Sequence, residues 1–271
     1  MQMKKYAVVT GASSGIGLEF ARILAKEGYG LVLCARRKER LEGLKKQLQA
    51  ECEVVAVDLS KEEDCFRLFQ AVKGKPVEVW INNAGFGNFG AFRGSSLKKE
   101  LEMVDVNVKA LHILTKLALR KMEKQKGGYI LNVASCAGLM PAGPYMSTYY
   151  ASKAYATSLT RGIAEELCQG KSPVYIGCLC PGPVNTEFNQ VANVQFALHG
   201  IGAAYCARYA YAQMKRRKVV IVPKLSLRGA MVLGRFLPQS LYIRIAAYQQ
   251  KKKKYGGAKS VAVPGSRGKD A

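Results

Sequence analysis

The feature that most restricts the fold is a glycine-rich loop near the amino terminus. The apolar run at residues 6–9 has the composition of a buried strand, and it leads into Thr10-Gly11-Ala12-Ser13-Ser14-Gly15-Ile16-Gly17. An amphipathic stretch of helical period follows over about residues 15–27. Glycines between a strand and a helix let backbone N–H groups approach a pyrophosphate at the helix N-terminus. The pattern therefore predicts a βαβ unit that binds a dinucleotide.

Short apolar runs alternate with amphipathic stretches over the first 180 residues, which is typical of a parallel sheet. We predict strands near 5–10, 30–35, 53–57, 77–82, 128–134, 173–180 and 219–222, and helices over about 15–27, 38–50, 61–72, 97–124 and 148–169. The strands are apolar almost throughout, as expected when helices cover both faces of a sheet. The predicted fold class is α/β, a single-domain Rossmann fold whose doubly wound parallel sheet has about seven strands.

The second predicted strand ends in basic residues. It runs into Cys34-Ala35-Arg36-Arg37, with no carboxylate before Glu39. A free ribose 2′-hydroxyl is usually bound by an acid at this point, whereas guanidinium groups suit a 2′-phosphate. We therefore expect NADP(H) rather than NAD(H). The alternative is that these arginines only begin a solvated helix.

Positive charge is concentrated in the C-terminal part of the chain. Lysine and arginine total 42 against 19 acids, and residues 188–271 contain 16 of these cations but a single acid, Asp270. An anionic lipid, a nucleic acid or an acidic carrier protein would suit this asymmetry, and so would a solvated basic face. Because no nucleic-acid recognition motif occurs, we expect no nucleic-acid partner. The eight cysteines are scattered without a CxxC pair, so we expect reduced thiols and no metal site.

The composition also divides the chain. We expect a Rossmann-type domain over residues 1–223, a basic amphipathic C-terminal extension over 224–255, and a disordered tail over 256–271. Pro238 should split the extension into two helices, and the arginines between residues 225 and 247 exclude a bilayer-spanning helix. The extension either lies on an anionic membrane surface or caps the core or a dimer. We expect a cytoplasmic protein, with contact to a membrane surface left open as one of these two roles of the extension.

Further motifs occur in a characteristic order. They are Asn82-Asn83-Ala84-Gly85 after the fourth strand, Asn107 in the fourth helix, Ser135 after the fifth strand, Tyr149-x-x-x-Lys153 at the start of the next helix, and Pro181-Gly182-Pro183-Val184-Asn185-Thr186 after the sixth strand. With Gly11-x-x-x-Gly15-x-Gly17, this order resembles the short-chain dehydrogenase/reductase family over residues 4–223. Two departures are visible: Ser135 lies 14 residues before Tyr149, where many members have 13, and a long basic segment follows Pro223.

The resemblance implies a catalytic set. Tyr149 and Lys153 are four residues apart, so they share one helix face, and the ammonium group should lower the pKa of the phenol. In the family, Tyr149 would act as the general acid and base, and Lys153 would also bind the nicotinamide ribose. Ser135 would hold the substrate oxygen, and Asn107 would position a water that passes protons to Lys153. The cofactor-binding residues implied are Gly11, Ser13, Ser14, Gly15, Ile16, Gly17, Arg36, Arg37, Asp58, Leu59, Asn83, Ala84, Gly85, Tyr149, Lys153, Pro181, Gly182, Val184 and Thr186.

Three loops should line the substrate pocket. Their apolar residues are Phe86, Phe89, Phe92, Leu139, Met140, Tyr145, Met146, Phe188, Val191, Val194, Phe196 and Leu198. Such a pocket suits a bulky hydrophobic alcohol or ketone of the hydroxysteroid or bile-acid type, and 3-oxoacyl thioesters of a carrier protein or coenzyme A remain an alternative. A non-catalytic nucleotide-binding regulatory protein is the other class of function. An intact catalytic set argues against it.

An apolar stripe runs along the fourth predicted helix from Leu97 to Ala118 at steps of three and four residues. The resemblance implies that this helix and the one at 148–169 pair with a second subunit in a four-helix bundle. A homodimer or tetramer is therefore expected. The same stripe could instead face the sheet.

Overall fold

The computed structural model describes residues 4–188, 192, 194–195, 200–234, 236–251 and 254–255. Its strands are β1 (Tyr6–Thr10), β2 (Gly30–Ala35), β3 (Cys52–Ala56), β4 (Val77–Asn82), β5 (Gly128–Val133), β6 (Val174–Leu179), β7 (Val184–Asn185), β8 (Val194–Gln195), β9 (Ile201–Gly202), β10 (Val220–Ile221) and β11 (Lys254–Tyr255). Seven of them form one sheet in the order β3-β2-β1-β4-β5-β6-β10, and every pair in it is parallel. The predicted Rossmann-type sheet is confirmed.

Helices cover both faces of this sheet. They are α1 (Gly15–Lys26), α2 (Lys38–Gln47), α3 (Glu62–Ala71), α4 (Leu97–Val104), α5 (Leu111–Lys124), α6 (Ser147–Gln169), α7 (Ala203–Lys215), α8 (Leu225–Gly234) and α9 (Gln239–Lys251). Buried residues of α1, α2 and α7 form one apolar layer with the sheet, and those of α3, α5 and α6 form the other. The parallel strands thus end at one common edge, where a ligand cleft is expected.

Three helical features differ from or refine the sequence prediction. The stretch predicted as one helix over 97–124 is divided by a π-helical turn at Asp105–Ala110. Helix α7 was not predicted. The extension does form two helices on either side of Pro238, as predicted. The expected disordered tail, residues 256–271, lies outside the described residues.

A buried polar network ties α5 and α6 to the centre of the sheet. Asn82 donates from Nδ2 to Oδ1 of Asn132 at 2.9 Å and to the hydroxyl of Thr115 at 3.1 Å. Asn132 in turn donates to the hydroxyl of Thr160 at 2.9 Å. Because such hydrogen bonds are strong and directional in a buried environment, they fix α6 relative to the end of β5.

Among the helices that the structure describes, none has both the length and the apolar character required to span a membrane.

Candidate active site

The glycine-rich loop is held in a form that only small residues allow. Gly11 and Gly15 have φ values of +65° and +57°, and a Cβ atom at Gly17 would lie 2.4 Å from the backbone oxygen of Gly11. Asn83 fastens this loop by donating from Nδ2 to the backbone oxygens of Thr10 and Gly11, at 3.0 and 3.2 Å. The loop therefore presents its backbone closely to the cleft, at the N-terminus of α1.

The arginines after β2 lie at the same end of the cleft. Arg37 donates from Nη2 to the hydroxyls of Ser13 and Ser14, at 3.2 and 3.3 Å, and pairs with the carboxylate of Glu187. Arg36 lines the cleft without a hydrogen bond or ion pair to another described residue. Guanidinium groups and serine hydroxyls thus surround one region beside the glycine loop, a combination that suits a phosphate.

The start of α6 brings Tyr149 and Lys153 to the middle of the cleft. The Tyr149 side chain lies near Ser135, which follows β5, and both residues line the cleft. Lys153 is 4% exposed, donates from Nζ to the backbone oxygen of Val133 at 2.9 Å, and lies 5.9 Å from the centre of the Tyr149 ring. The longer spacing between Ser135 and Tyr149 is thus accommodated without separating the two side chains.

Burial governs the acidity of these groups. Sequence reasoning expected Lys153 to lower the pKa of Tyr149, and this is wrong for the protein's own groups: burial raises the pKa of Tyr149 above its ordinary value of 10.0. The neighbouring Ser135 side chain acts on the pKa in the opposite direction but is the smaller effect. Burial also lowers the pKa of Lys153 from 10.5 to about 8, so its ammonium form is itself disfavoured. The disfavoured ammonium form of Lys153 therefore does not offset the effect of burial on the pKa of Tyr149.

Asn107 occupies the π-helical turn directly behind the cleft. Its side-chain oxygen accepts from the Phe86 backbone N–H at 3.1 Å, and its nitrogen donates to the Phe86 oxygen at 2.9 Å and to Ser152 at 3.0 Å. π-helical turns often occur where a side chain has to be aimed precisely at a functional site. A Cβ atom at Gly85 would lie 2.8 Å from Oδ1 of Asn107 and 3.1 Å from Nζ of Lys153. Glycine there lets the loop fit against both groups.

A single cavity of about 900 Å³ contains the expected site. All catalytic and cofactor-binding residues expected from the sequence line it except Gly17 and Asn107, which lie behind its wall. Of the expected substrate-loop residues, Phe86, Met140, Met146 and Phe188 line it. Phe89, Phe92, Leu139 and Tyr145 do not, and Phe92 is 66% exposed. Val191, Phe196, Leu198 and the side chain of Val194 lie outside the described part of the chain.

The C-terminal extension forms part of the wall of this cavity, and the sequence did not predict that position. Its lining residues are Leu227, Ala230, Met231, Leu233, Gly234, Leu237, Tyr242, Ile245, Ala246, Gln249 and Gln250. Arg228 fixes α8 by donating to the Val222 backbone oxygen at 2.8 Å. Gln250 fixes α9 by donating to the Tyr150 hydroxyl at 2.6 Å. The broad apolar surface of the extension was the only sequence signal for this wall.

A glycine cradle at the edge of a parallel sheet, with a Tyr–Lys–Ser group beside it, defines a nucleotide-dependent oxidoreductase of Rossmann type. The short chain dehydrogenase family matches residues 5–197, and the chain belongs to this family. It is 36% identical over 198 residues to dehydrogenase/reductase SDR family member 11 of Bos taurus, which covers 68% of this chain and 76% of that protein.

Two further likenesses are informative. The very-long-chain 3-oxoacyl-CoA reductase of Kluyveromyces lactis is 35% identical over 178 residues, covering 60% of this chain and 50% of that protein. The structure of a short-chain dehydrogenase from Sphingobium yanoikuyae in complex with NADPH superimposes with a TM-score of 0.75 at 27% identity. That match covers 88% of this chain and 98% of the other.

Proposed function

We propose that the protein is an NADP(H)-dependent oxidoreductase that interconverts a secondary alcohol and a ketone on a bulky hydrophobic substrate. The observation that carries this proposal is the position of the neighbouring side chains of Tyr149 and Ser135. The pair lies in one cavity with the glycine loop at one end and the apolar residues of the extension at the other. The cavity volume of about 900 Å³ is at the upper end of that of small-molecule sites, which suits a large cofactor together with a large substrate.

The residues present fit a dinucleotide. Glycine at position 17 lets the loop close tightly at the N-terminus of α1, where backbone N–H groups can bind a pyrophosphate. The nicotinamide would supply the hydride for reduction and accept it for oxidation. The residues proposed to bind this dinucleotide are the cofactor-binding residues expected from the sequence, from Gly11 to Thr186. Arg36 and Arg37 would bind the 2′-phosphate. Arg36 has no hydrogen bond or ion pair with another described residue, so its guanidinium group is available to a 2′-phosphate. This supports NADP over NAD.

The protein's own groups would perform the proton transfer. Ser135 and Tyr149 would both hydrogen-bond the substrate oxygen, and Tyr149 would give its proton to that oxygen during reduction. The raised pKa of Tyr149 keeps the phenol protonated and ready to donate. Lys153, with a pKa of about 8, can return a proton to Tyr149 near neutral pH. We propose that Asn107 positions a water for this relay, since its side-chain oxygen and Nζ of Lys153 both lie close to Gly85.

The substrate class is proposed from the lining of the cavity. Apolar side chains of α8 and α9 face it, with few fixed charges. This favours a hydroxysteroid-type or bile-acid-type substrate. A 3-oxoacyl thioester is the alternative, supported by the likeness to a 3-oxoacyl-CoA reductase and by the basic C-terminal part, which suits a polyanionic carrier. We propose residues 1–223 as the catalytic domain and 224–255 as the outer wall of its substrate cleft.

A paired activity screen tests the proposal. NADPH and NADH oxidation would be followed with steroid and bile-acid ketones and, in parallel, with 3-oxoacyl-CoA esters. We expect turnover of bulky ketones with NADPH in excess of NADH. Turnover of the thioesters alone would select the alternative substrate. Binding of NADPH without turnover of any carbonyl compound would instead indicate the regulatory class.

We also propose that the mouth of the cleft touches an anionic membrane surface. The extension exposes several large apolar side chains: Leu225, Leu233, Phe236, Leu237, Leu241, Ile245 and Tyr248. Phe236 is 83% exposed, and cations such as Arg244 and Lys251 occur in the same segment. Such a surface suits an interfacial contact. Binding to anionic but not neutral vesicles, weakened by salt and by Phe236→Glu, is expected. Equal sedimentation with and without vesicles would refute this contact.

A further inference from the structure

A carboxylate lies among the arginines proposed to bind the 2′-phosphate. One oxygen of Glu187 accepts from both Nη1 and Nη2 of Arg37, each at 3.0 Å, and the other accepts from Arg40. The arginines Arg37 and Arg40 come from the start of α2, whereas Glu187 comes from the segment after β7, about 150 residues later in the chain. The ion pairs therefore join the two sides of the cleft.

The surroundings of this carboxylate are those of an anion site. Arg37 also donates to the hydroxyls of Ser13 and Ser14 from the glycine loop. Glu187, Arg37, Ser13 and Ser14 all line the cavity. Arginine nitrogens and serine hydroxyls are the groups that bind phosphate oxygens in proteins. Glu187 thus occupies a position that a phosphate bound to the same donors would need.

We propose that Glu187 is an internal competitor of the cofactor's 2′-phosphate, and that it sets how strongly the protein prefers NADP(H) over NAD(H). This inference rests on the proposed NADP(H) dependence. A phosphate monoester carries close to two negative charges at neutral pH and three acceptor oxygens, against one charge and two oxygens on the carboxylate. The Glu187 side chain is 39% exposed, and partly exposed ion pairs are weak. A bound 2′-phosphate therefore displaces Glu187, whereas the neutral 2′-hydroxyl of NAD does not.

The residues on either side of Glu187 contact the glycine loop and the catalytic tyrosine. Thr186 packs on the glycine loop, where a Cβ atom at Gly15 would lie 3.0 Å from its methyl group. The Phe188 ring centre lies 5.6 Å from that of Tyr149. When Glu187 leaves Arg37, it moves between one neighbour that touches the cofactor loop and another that touches the catalytic tyrosine.

The test measures binding of two nucleotide fragments by calorimetry at low salt. The fragment 2′,5′-ADP carries the phosphate in question, and 5′-AMP lacks it. In Glu187→Gln we expect 2′,5′-ADP to bind about fivefold more tightly, a change in the range expected from removing the partly exposed ion pairs of Glu187. Binding of 5′-AMP should change by less than about twofold. Glu39→Gln removes an acid at the start of the same helix, in no ion pair to Arg37 or Arg40, and should leave both affinities nearly unchanged.

The outcomes separate this inference from the cofactor proposal. If the unmodified protein binds both fragments equally, the proposed NADP(H) preference fails and the competitor role fails with it. If the unmodified protein prefers 2′,5′-ADP but Glu187→Gln does not tighten it, the preference stands and the competitor role alone is overturned. Weaker binding of 5′-AMP to Glu187→Gln would show that Glu187 binds the ribose, and this too would overturn the competitor role. Glu187→Ala, with its fold checked by circular dichroism, should repeat the result of the glutamine variant.

Discussion

Lys153 donates a hydrogen bond from Nζ to the backbone oxygen of Val133, at 2.9 Å, at the end of β5. The bond fixes the amine beside Tyr149, but a neutral carbonyl does not compensate an ammonium ion for the loss of water. Burial therefore lowers the pKa of Lys153 to about 8. The protein holds this side chain at a cost that depends on pH.

That cost predicts a pH-dependent stability. Between about pH 8 and 10.5 the unfolded chain binds a proton at Lys153 that the folded chain has lost, so the free energy of unfolding rises with pH across this window. Lys153→Met removes this contribution. The stability of the variant relative to the unmodified protein should fall by about 2 kcal/mol between pH 7 and 9.5. Urea unfolding of both proteins at several pH values measures it, and a constant difference would show that the pKa of Lys153 is not lowered.

The cofactor preference predicts a selective kinetic effect. Arg36→Ala should raise KM for NADPH by about tenfold, because a charge-assisted contact to the 2′-phosphate is lost, and should leave KM for NADH nearly unchanged. Lys45→Ala removes a cation from the helix that follows Arg36, α2, outside the lining of the cavity, and serves as the matched control. Equal efficiency of the unmodified protein with both cofactors would contradict the preference.

The sheet and the glycine loop could be predicted from the sequence because both depend on local pattern. Apolar runs such as Val77–Asn82 and Val174–Leu179 are continuous, and glycines at 11, 15 and 17 follow directly after the first run. The position of Glu187 could not be predicted in this way. Its partners Arg37 and Arg40 are about 150 residues away in sequence, and no local pattern reports such a contact.

The π-helical turn and the extension show two further limits. A single π-helical turn adds about one residue to the helical repeat, so the periodicity over 97–124 did not reveal the turn that aims Asn107 towards Phe86 and Ser152. In the extension, Pro238 correctly predicted the division between two helices. Which surface these helices cover depends on contacts such as the one between Gln250 and Tyr150, 100 residues apart.

The apolar stripe of the fourth predicted helix is buried in one part and exposed in another. Leu111, Leu114 and Ala118 are buried against the sheet, whereas Leu97 and Leu101 on α4 are 69% and 54% exposed. The exposed part is the surface that we propose pairs with a second subunit.

Light scattering at micromolar concentration tests this pairing. The unmodified protein should have the mass of a dimer or tetramer, and Leu101→Glu should lower it, because a buried carboxylate at the contact is unfavourable. Phe66→Glu introduces the same charge at another exposed apolar position, on α3, and should leave the mass unchanged. A monomeric mass for the unmodified protein would refute the pairing.

The role of Tyr149 as general acid and base is tested by Tyr149→Phe, assayed with NADPH and a bulky ketone. Turnover should fall by at least about 10²- to 10⁴-fold, while NADPH binding, followed by its fluorescence, stays nearly unchanged. Tyr150→Phe is the matched control, since that hydroxyl contacts Gln250, and it should remain active. Retained turnover in Tyr149→Phe, together with an inactive Tyr150→Phe, would contradict the claim.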